Sequence, residues 1–176
     1  MKRMLALLIF LGLSLAQHGG HSSMSVGEHL GGLSGRAFDR AFLSMMVPHH
    51  QGAVEMSRWV LPRAKNAQVR AWANAIIAAQ QREIAQMNEW LRPLGGSDKG
   101  SAEMMAGDMA GMMTALRGGR DPDRAFVQGM IPHHASAIEM ALLAIQRSSD
   151  PRIIKLARDI LVSQSEEIYQ FRNWLK

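Results

Sequence analysis

The sequence predicts an all-α protein, a four-helix bundle made of two repeated helical hairpins joined by a short methionine-rich helix. Three observations predict it. First, Phe38, Phe42, Met45, His49, Ala53, Met56 and Val60 recur at the three-to-four spacing of one helical face. Second, the chain matches itself without a gap when Asp39 is laid on Asp123, continuing to Leu91 on Leu175. About a third of these aligned positions are identical, the mark of a repeat. Third, each half carries a turn signal in its middle: Pro62 and Asn66 within 61–68, then Ser148-Ser149-Asp150-Pro151. One hairpin cannot bury its apolar face alone, so the two are expected to close on each other.

Residues 1–16, MKRMLALLIFLGLSLA, have a basic start, a short apolar middle and small residues before a cut at Gln17, the pattern of a secretory signal peptide. Their apolar run falls short of the roughly 20 residues a membrane span needs. A periplasmic or secreted protein, with no membrane span after signal removal, is therefore expected. Residues 17–35 are rich in Gly and Ser and carry His18, His21, Met24 and His29, so they are expected to be flexible and to add a loose metal-capturing arm. The bundle is assigned to 36–176. Its second helix turns Val69, Ala73, Ile76, Gln80, Ile84, Met87 and Leu91 inward, and repeat 123–175 mirrors repeat 39–91. Trp90 and Trp174 close the two repeats as end packing. The connector, 95–122, places Met105, Met109, Met112 and Leu116 on one face, although Gly107 and Gly111 weaken a helix there by roughly 1 kcal/mol each. With Met104 and Met113 these methionines form either a soft-metal strip or a cover for the bundle.

Composition narrows the function. The formal net charge of +5 falls by two when Lys2 and Arg3 leave, and the remaining basic residues are scattered among few aromatics. No nucleic-acid partner is expected. The chain has no cysteine, so it offers neither disulfides nor thiolate ligands for zinc or iron–sulfur chemistry. It has 14 methionines instead, whose thioethers form no cross-links and are soft metal ligands.

The chemistry gathers in DRAFLSMMVPHHQGAVEM and its counterpart DRAFVQGMIPHHASAIEM. Helical phasing puts His49 near the centre of the inner stripe and His50 about 100° around from it. Met45 and Met46 lie one turn before these histidines, and Met56 lies two turns after His49. The second repeat offers Met130, His133, His134 and Met140, with Gly129 where Met45 stood. Imidazole with thioether suits Cu(I) or Ag(I), and imidazole alone also suits Cu(II), Zn or Ni. The candidate metal ligands are thus Met46, His49, His50, Met56, Met130, His133, His134 and Met140. The alternative is a set of core histidines satisfied by hydrogen bonds.

Gln80 and Glu83, with Gln164 and Glu167, face inward on the second and fourth helices, where polar groups must be paired. They are expected as a supporting shell that orients the imidazoles; the alternatives are direct ligation by the Glu side chains, pairing with a charged histidine, or a metal-free hydrogen-bond network. Glu55 and Glu139 phase off the inner face and are expected in surface or interhelical salt bridges. Pro48 and Pro132 cost about 3 kcal/mol each inside a helix. A kink at each would aim the histidines; the alternative is that each proline starts a helix.

The stretches FDRAFLSMMVPHHQGAVEM and AAQQREIAQMNEWL resemble the bacterial family catalogued as domain of unknown function 305, over residues 35–176. The resemblance implies an exported, ferritin-like helical bundle similar to periplasmic copper-binding proteins. It points to Met46, His49, His50, Met130, His133 and His134. Di-iron ferritin-like enzymes present Glu-x-x-His, whereas this chain has Gln80-x-x-Glu83 and Gln164-x-x-Glu167, so oxidase activity does not carry over. The expected function is sequestration or delivery of a copper ion, as Cu(I) or Cu(II), or of silver. The expected role is that of a binding protein, with another exported copper-handling protein as a partner. The alternatives are a divergent di-metal oxidase using iron, and a metal-free interaction bundle.

Overall fold

The computed structural model describes residues 26–176, and within them all regular structure is helical. In chain order the helices are α1 (Val26–Gly31), α2 (Gly35–Val60), α3 (Ala67–Leu91), α4 (Lys99–Arg117), α5 (Pro122–Arg147) and α6 (Pro151–Trp174), with a 3-10 turn at Arg92–Leu94 after α3. The signal-peptide assignment and His18, His21 and Met24 lie outside the described residues.

Local chemistry sets the ends of these helices. Asn66 accepts from the backbone N–H of Gln68 and Val69 and caps α3. Asp98, Asp121 and Asp150 cap α4, α5 and α6 in the same way, and Pro122 and Pro151 follow two of these caps at positions that need no N–H. The turn leaving α3 runs through Gly95 and Gly96 at φ 95° and 80°, a left-handed region costly to other residues. Asp123, buried at the start of α5, accepts from the backbone N–H of both Lys65 and Asn66 at 3.0 Å and so ties the first hairpin's turn to the second repeat.

The inner stripes pack much as their periodicity predicts. All seven stripe residues of α2 are buried, as are Val69, Ala73, Ile76, Gln80, Met87 and Leu91 of α3, while Ile84 is only partly buried. Helix α2 packs against α3, α4 and α5, and α5 packs against α6. The apolar core forms two clusters. In one, Met45 and Met46 meet Met87, Met105, Met109, Ala137, Met140 and Ile160. In the other, Met56 and Val60 meet Ile76, Met113, Phe126, Met130 and Phe171. The start of α2 thus packs with the end of α5, and the reverse holds at the other end, so the two helices cross antiparallel. Each large side chain buried this way stabilises the fold by about 1.5–3 kcal/mol.

Pro48 and Pro132 stand inside continuous helices, as the helical phasing predicts, and not at helix starts. Lacking an N–H, neither can bond the carbonyl four residues back, at Ser44 and Gln128. The described end of the segment expected to be flexible is helix α1, anchored by fully buried Leu30 and by His29 Nε2, 2.8 Å from Ser101 Oγ. The connecting helix α4 is 19 residues long, and its buried face holds Met105, Met109, Met113 and Leu116, with Met113 in place of Met112.

Candidate metal centre

The four histidines form a buried layer where α2 crosses α5, each with no exposed surface. At its centre the rings of His49 and His133 lie 3.9 Å apart between centroids, tilted by 43°. His49 Nε2 donates to the His133 carbonyl at 3.0 Å, and His133 Nε2 donates to the His49 carbonyl at 3.0 Å. His49 Nε2 also lies 2.8 Å from Ser136 Oγ, whose own proton goes to the His133 carbonyl. Burial, reinforced by neighbouring histidines, pushes the pKa of both central rings well below 6.5. Both are therefore neutral imidazoles carrying their hydrogen on Nε2.

The outer rings are held by carboxylates. His50 Nε2 donates to Glu83 Oε2 at 2.7 Å. His134 Nε2 lies 2.6 Å from Glu167 Oε2, without an aligned hydrogen bond. Glu83 and Glu167 keep about a quarter of their side chains exposed, at 24% and 26%, so each reaches from the solvent edge of its helix to a buried ring. A carboxylate on the far nitrogen fixes ring orientation and makes the other nitrogen a better ligand.

That other nitrogen is Nδ1, and in all four histidines it is buried without a hydrogen-bond partner among the described residues. A neutral imidazole with hydrogen on Nε2 presents a lone pair at Nδ1. Buried polar atoms are nearly always satisfied, and four such lone pairs in one layer offer donors to a cation. The Oε1 atoms of Gln80 and Gln164 are orphaned in the same way. The candidate thioethers Met46, Met56, Met130 and Met140 are all buried as well. The crossing regroups them: Met46 shares a cluster with Met140, and Met56 shares one with Met130.

Among the described residues no three His, Asp or Glu side chains gather as a ready cage for an ion. Imidazole and thioether are the donor types buried here, and together they suit Cu(I) or Ag(I). The donors fit a soft ion. Glu83 and Glu167 are each engaged with a histidine. Glu55 and Glu139 are exposed and form no ion pair among the described residues, so the salt bridges expected of them are absent. Trp90 and Trp174 do pack at the ends, one in each cluster. Sequence reasoning missed Ser136 at the ring of His49 and Phe171 beside His134, with 5.8 Å between ring centroids. The self-alignment held the signal for both, since position 52 is Gly and position 87 is Met where the second repeat has Ser136 and Phe171.

The profile of the domain of unknown function DUF305 matches residues 14–91 and again 39–175. The chain belongs to this family. Two solved DUF305 structures share its fold. One is from Streptomyces coelicolor, described as secreted, 27% identical with a TM-score of 0.69, and the match covers 78% of this chain and 91% of that one. The other is a fragment from Deinococcus radiodurans, 28% identical with a TM-score of 0.63, covering 78% and 94%. CopM is also similar: its Cu(I)-bound form is 33% identical with a TM-score of 0.66, covering 77% of this chain and 94% of CopM. CopM is likewise solved in Cu(II)-bound and Ag-bound forms. An uncharacterised protein of Acanthamoeba polyphaga mimivirus is 45% identical over 53 residues, 30% of this DUF305 chain and 35% of that protein. The chain thus spans about a third of the length of this curated relative. Among the described residues no helix is long and apolar enough to cross a membrane.

Proposed function

We propose that this DUF305 protein is an exported binder of copper or silver that sequesters the ion or hands it to another exported protein. Residues 1–16 serve as the export signal and residues 36–176 as one binding bundle. The observation that carries this reading is the set of four buried Nδ1 atoms without partners, in rings whose Nε2 atoms are turned to carbonyl and carboxylate oxygens. The ligands are His49, His50, His133 and His134 with the buried thioethers Met46, Met56, Met130 and Met140. Glu83 and Glu167 position the outer rings, and Gln80 and Gln164 support them.

Burial suits the central histidines to this task. A protonated ring must lose a proton before it binds metal. His49 and His133, held neutral well below pH 6.5, stay competent in mildly acidic surroundings. The similarity to CopM, solved with copper and with silver, supports the choice of ion.

The test is a Cu(I) titration of the purified chain against a competing chelator, beside a variant with all four layer histidines changed to Gln. Glutamine keeps a side-chain donor but has no imidazole lone pair. Tight binding by the parent and its loss in a variant of normal helicity supports the assignment. Equal affinity in the two overturns it.

A further inference from the structure

The two halves of the histidine layer are not equivalent, and the difference points to a ligand from outside the repeats. Position 136 of α5 faces the opposite helix, where Ser136 Oγ lies 2.8 Å from His49 Nε2. Its counterpart on α2 is Gly52, which has no side chain to turn toward the layer. The room a Cβ would take there is filled by Met109 of α4, with Sδ 2.7 Å and Cγ 2.9 Å from that point. Real Cβ atoms essentially never show so close a contact. The thioether therefore rests on the α2 backbone in the space that a residue equivalent to Ser136 would use.

A second observation places Met109 at a cleft. Pro48, Gln51, Gly52, Glu55, Ala106, Met109 and Ala110 line a cleft of about 140 Å³ between α2 and α4. Gln51 and Glu55 are exposed at its rim, while Met109 is only 6% exposed and belongs to the same apolar cluster as Met45, Met46 and Met105. The cleft thus runs from a carboxylate at the surface to a thioether beside the helical turn that carries His49. The second repeat lacks this arrangement: Ser136 occupies the matching position, and α4 approaches Gly129 with Leu116.

We propose that Met109 is a metal ligand of α4 that receives a soft monovalent cation, Cu(I) or Ag(I), from the α2–α4 cleft and makes the centre asymmetric, with one loaded side. Soft cations prefer thioether to the amide and carboxylate oxygens of the rim, so the ion passes inward from Glu55 to Met109. Gly52 is needed for this because any side chain there would displace the sulfur. The inference rests on the reading of the histidine layer as a soft-metal centre.

The test compares the purified chain with Met109→Leu and Met113→Leu, each of which removes one buried sulfur at nearly constant volume. Cu(I) affinity is measured by chelator competition, and the mean number of sulfur ligands by X-ray absorption on the Cu(I)-loaded protein. Met109→Leu is expected to weaken binding roughly tenfold or more and to lower the sulfur number, with Met113→Leu leaving both unchanged. If Met109→Leu matches the parent in both readouts while the four-histidine variant loses the ion, the role of Met109 is overturned and the layer stands. If the parent itself binds no Cu(I), both fall.

Discussion

The imidazoles of His49 and His133 hold each other across the α2–α5 crossing, each donating its Nε2 hydrogen to the other's backbone carbonyl at 3.0 Å. This reciprocal bond fixes the tautomer of both rings and turns the burden of recognition onto Nδ1. It also joins the two repeats at residues proposed as metal ligands, so stability and the proposed ion binding share one element.

The metal-free protein should lose stability as the pH falls. Both central rings have pKa values pushed well below 6.5 in the fold, whereas in the unfolded chain they take up protons near 6.5. Below that pH the unfolded state binds more protons, so the contribution is fully present above about 6.5 and declines towards the lower folded values. The slope approaches about 1.4 kcal/mol per pH unit for each ring. Urea unfolding in chelator at pH 7.5, 6.0 and 5.0 checks this, with a flatter profile expected for the double variant His49→Gln, His133→Gln.

Removing a carboxylate from the outer rings should weaken the centre without dismantling it. Glu83→Ala and Glu167→Ala free the Nε2 atoms of His50 and His134, and each should reduce metal affinity by about 10–100-fold. Chelator competition reads the affinity, and circular dichroism confirms retained helix. Glu55→Ala removes an exposed carboxylate at the cleft rim that holds no ring, so its effect on equilibrium affinity should be smaller.

Asp123 tests the link between the hairpins. Its carboxylate accepts two backbone N–H groups at the α2–α3 turn. Asp123→Ala leaves both donors without that partner and should cost about 1–3 kcal/mol, read as a lower urea midpoint.

Gly119 tests close packing after α4. A Cβ there would lie 2.4 Å from the Cβ of Ala125, a contact that no flexible side chain can relieve. Gly119→Ala should therefore destabilise by about 1–3 kcal/mol by overpacking. The same change at Gly107, which has nothing within 4 Å of an added Cβ, should be neutral or stabilising.

Much of this was legible in the sequence, for identifiable reasons. Inner stripes follow from helical period, so the buried faces of α2 and α3 could be read from residues such as Phe42 and Ile76. Asn66 and Asp150 announce their helix starts because capping needs only local chemistry. What escaped depends on which helix lies opposite. Periodicity cannot say that His49 bonds a carbonyl of α5, or that the antiparallel crossing puts Met46 with Met140. One residue's error in phasing α4 exchanged Met112 for Met113. The contact of Met109 with Gly52 joins a repeat to the connector, and self-alignment compares only the repeats.

The central claim is that the four Nδ1 atoms are the open donors of the layer, and nitrogen NMR tests it most directly. In the ¹⁵N-labelled metal-free protein, the account predicts that His49, His50, His133 and His134 each carry hydrogen on Nε2 and a free lone pair on Nδ1. Adding Ag(I), a diamagnetic soft ion, should then shift Nδ1 resonances of the layer while the Nε2 atoms stay protonated. Protonated Nδ1 atoms in the metal-free protein, or Ag(I) shifts confined to Nε2 or to histidines outside the layer, would contradict it.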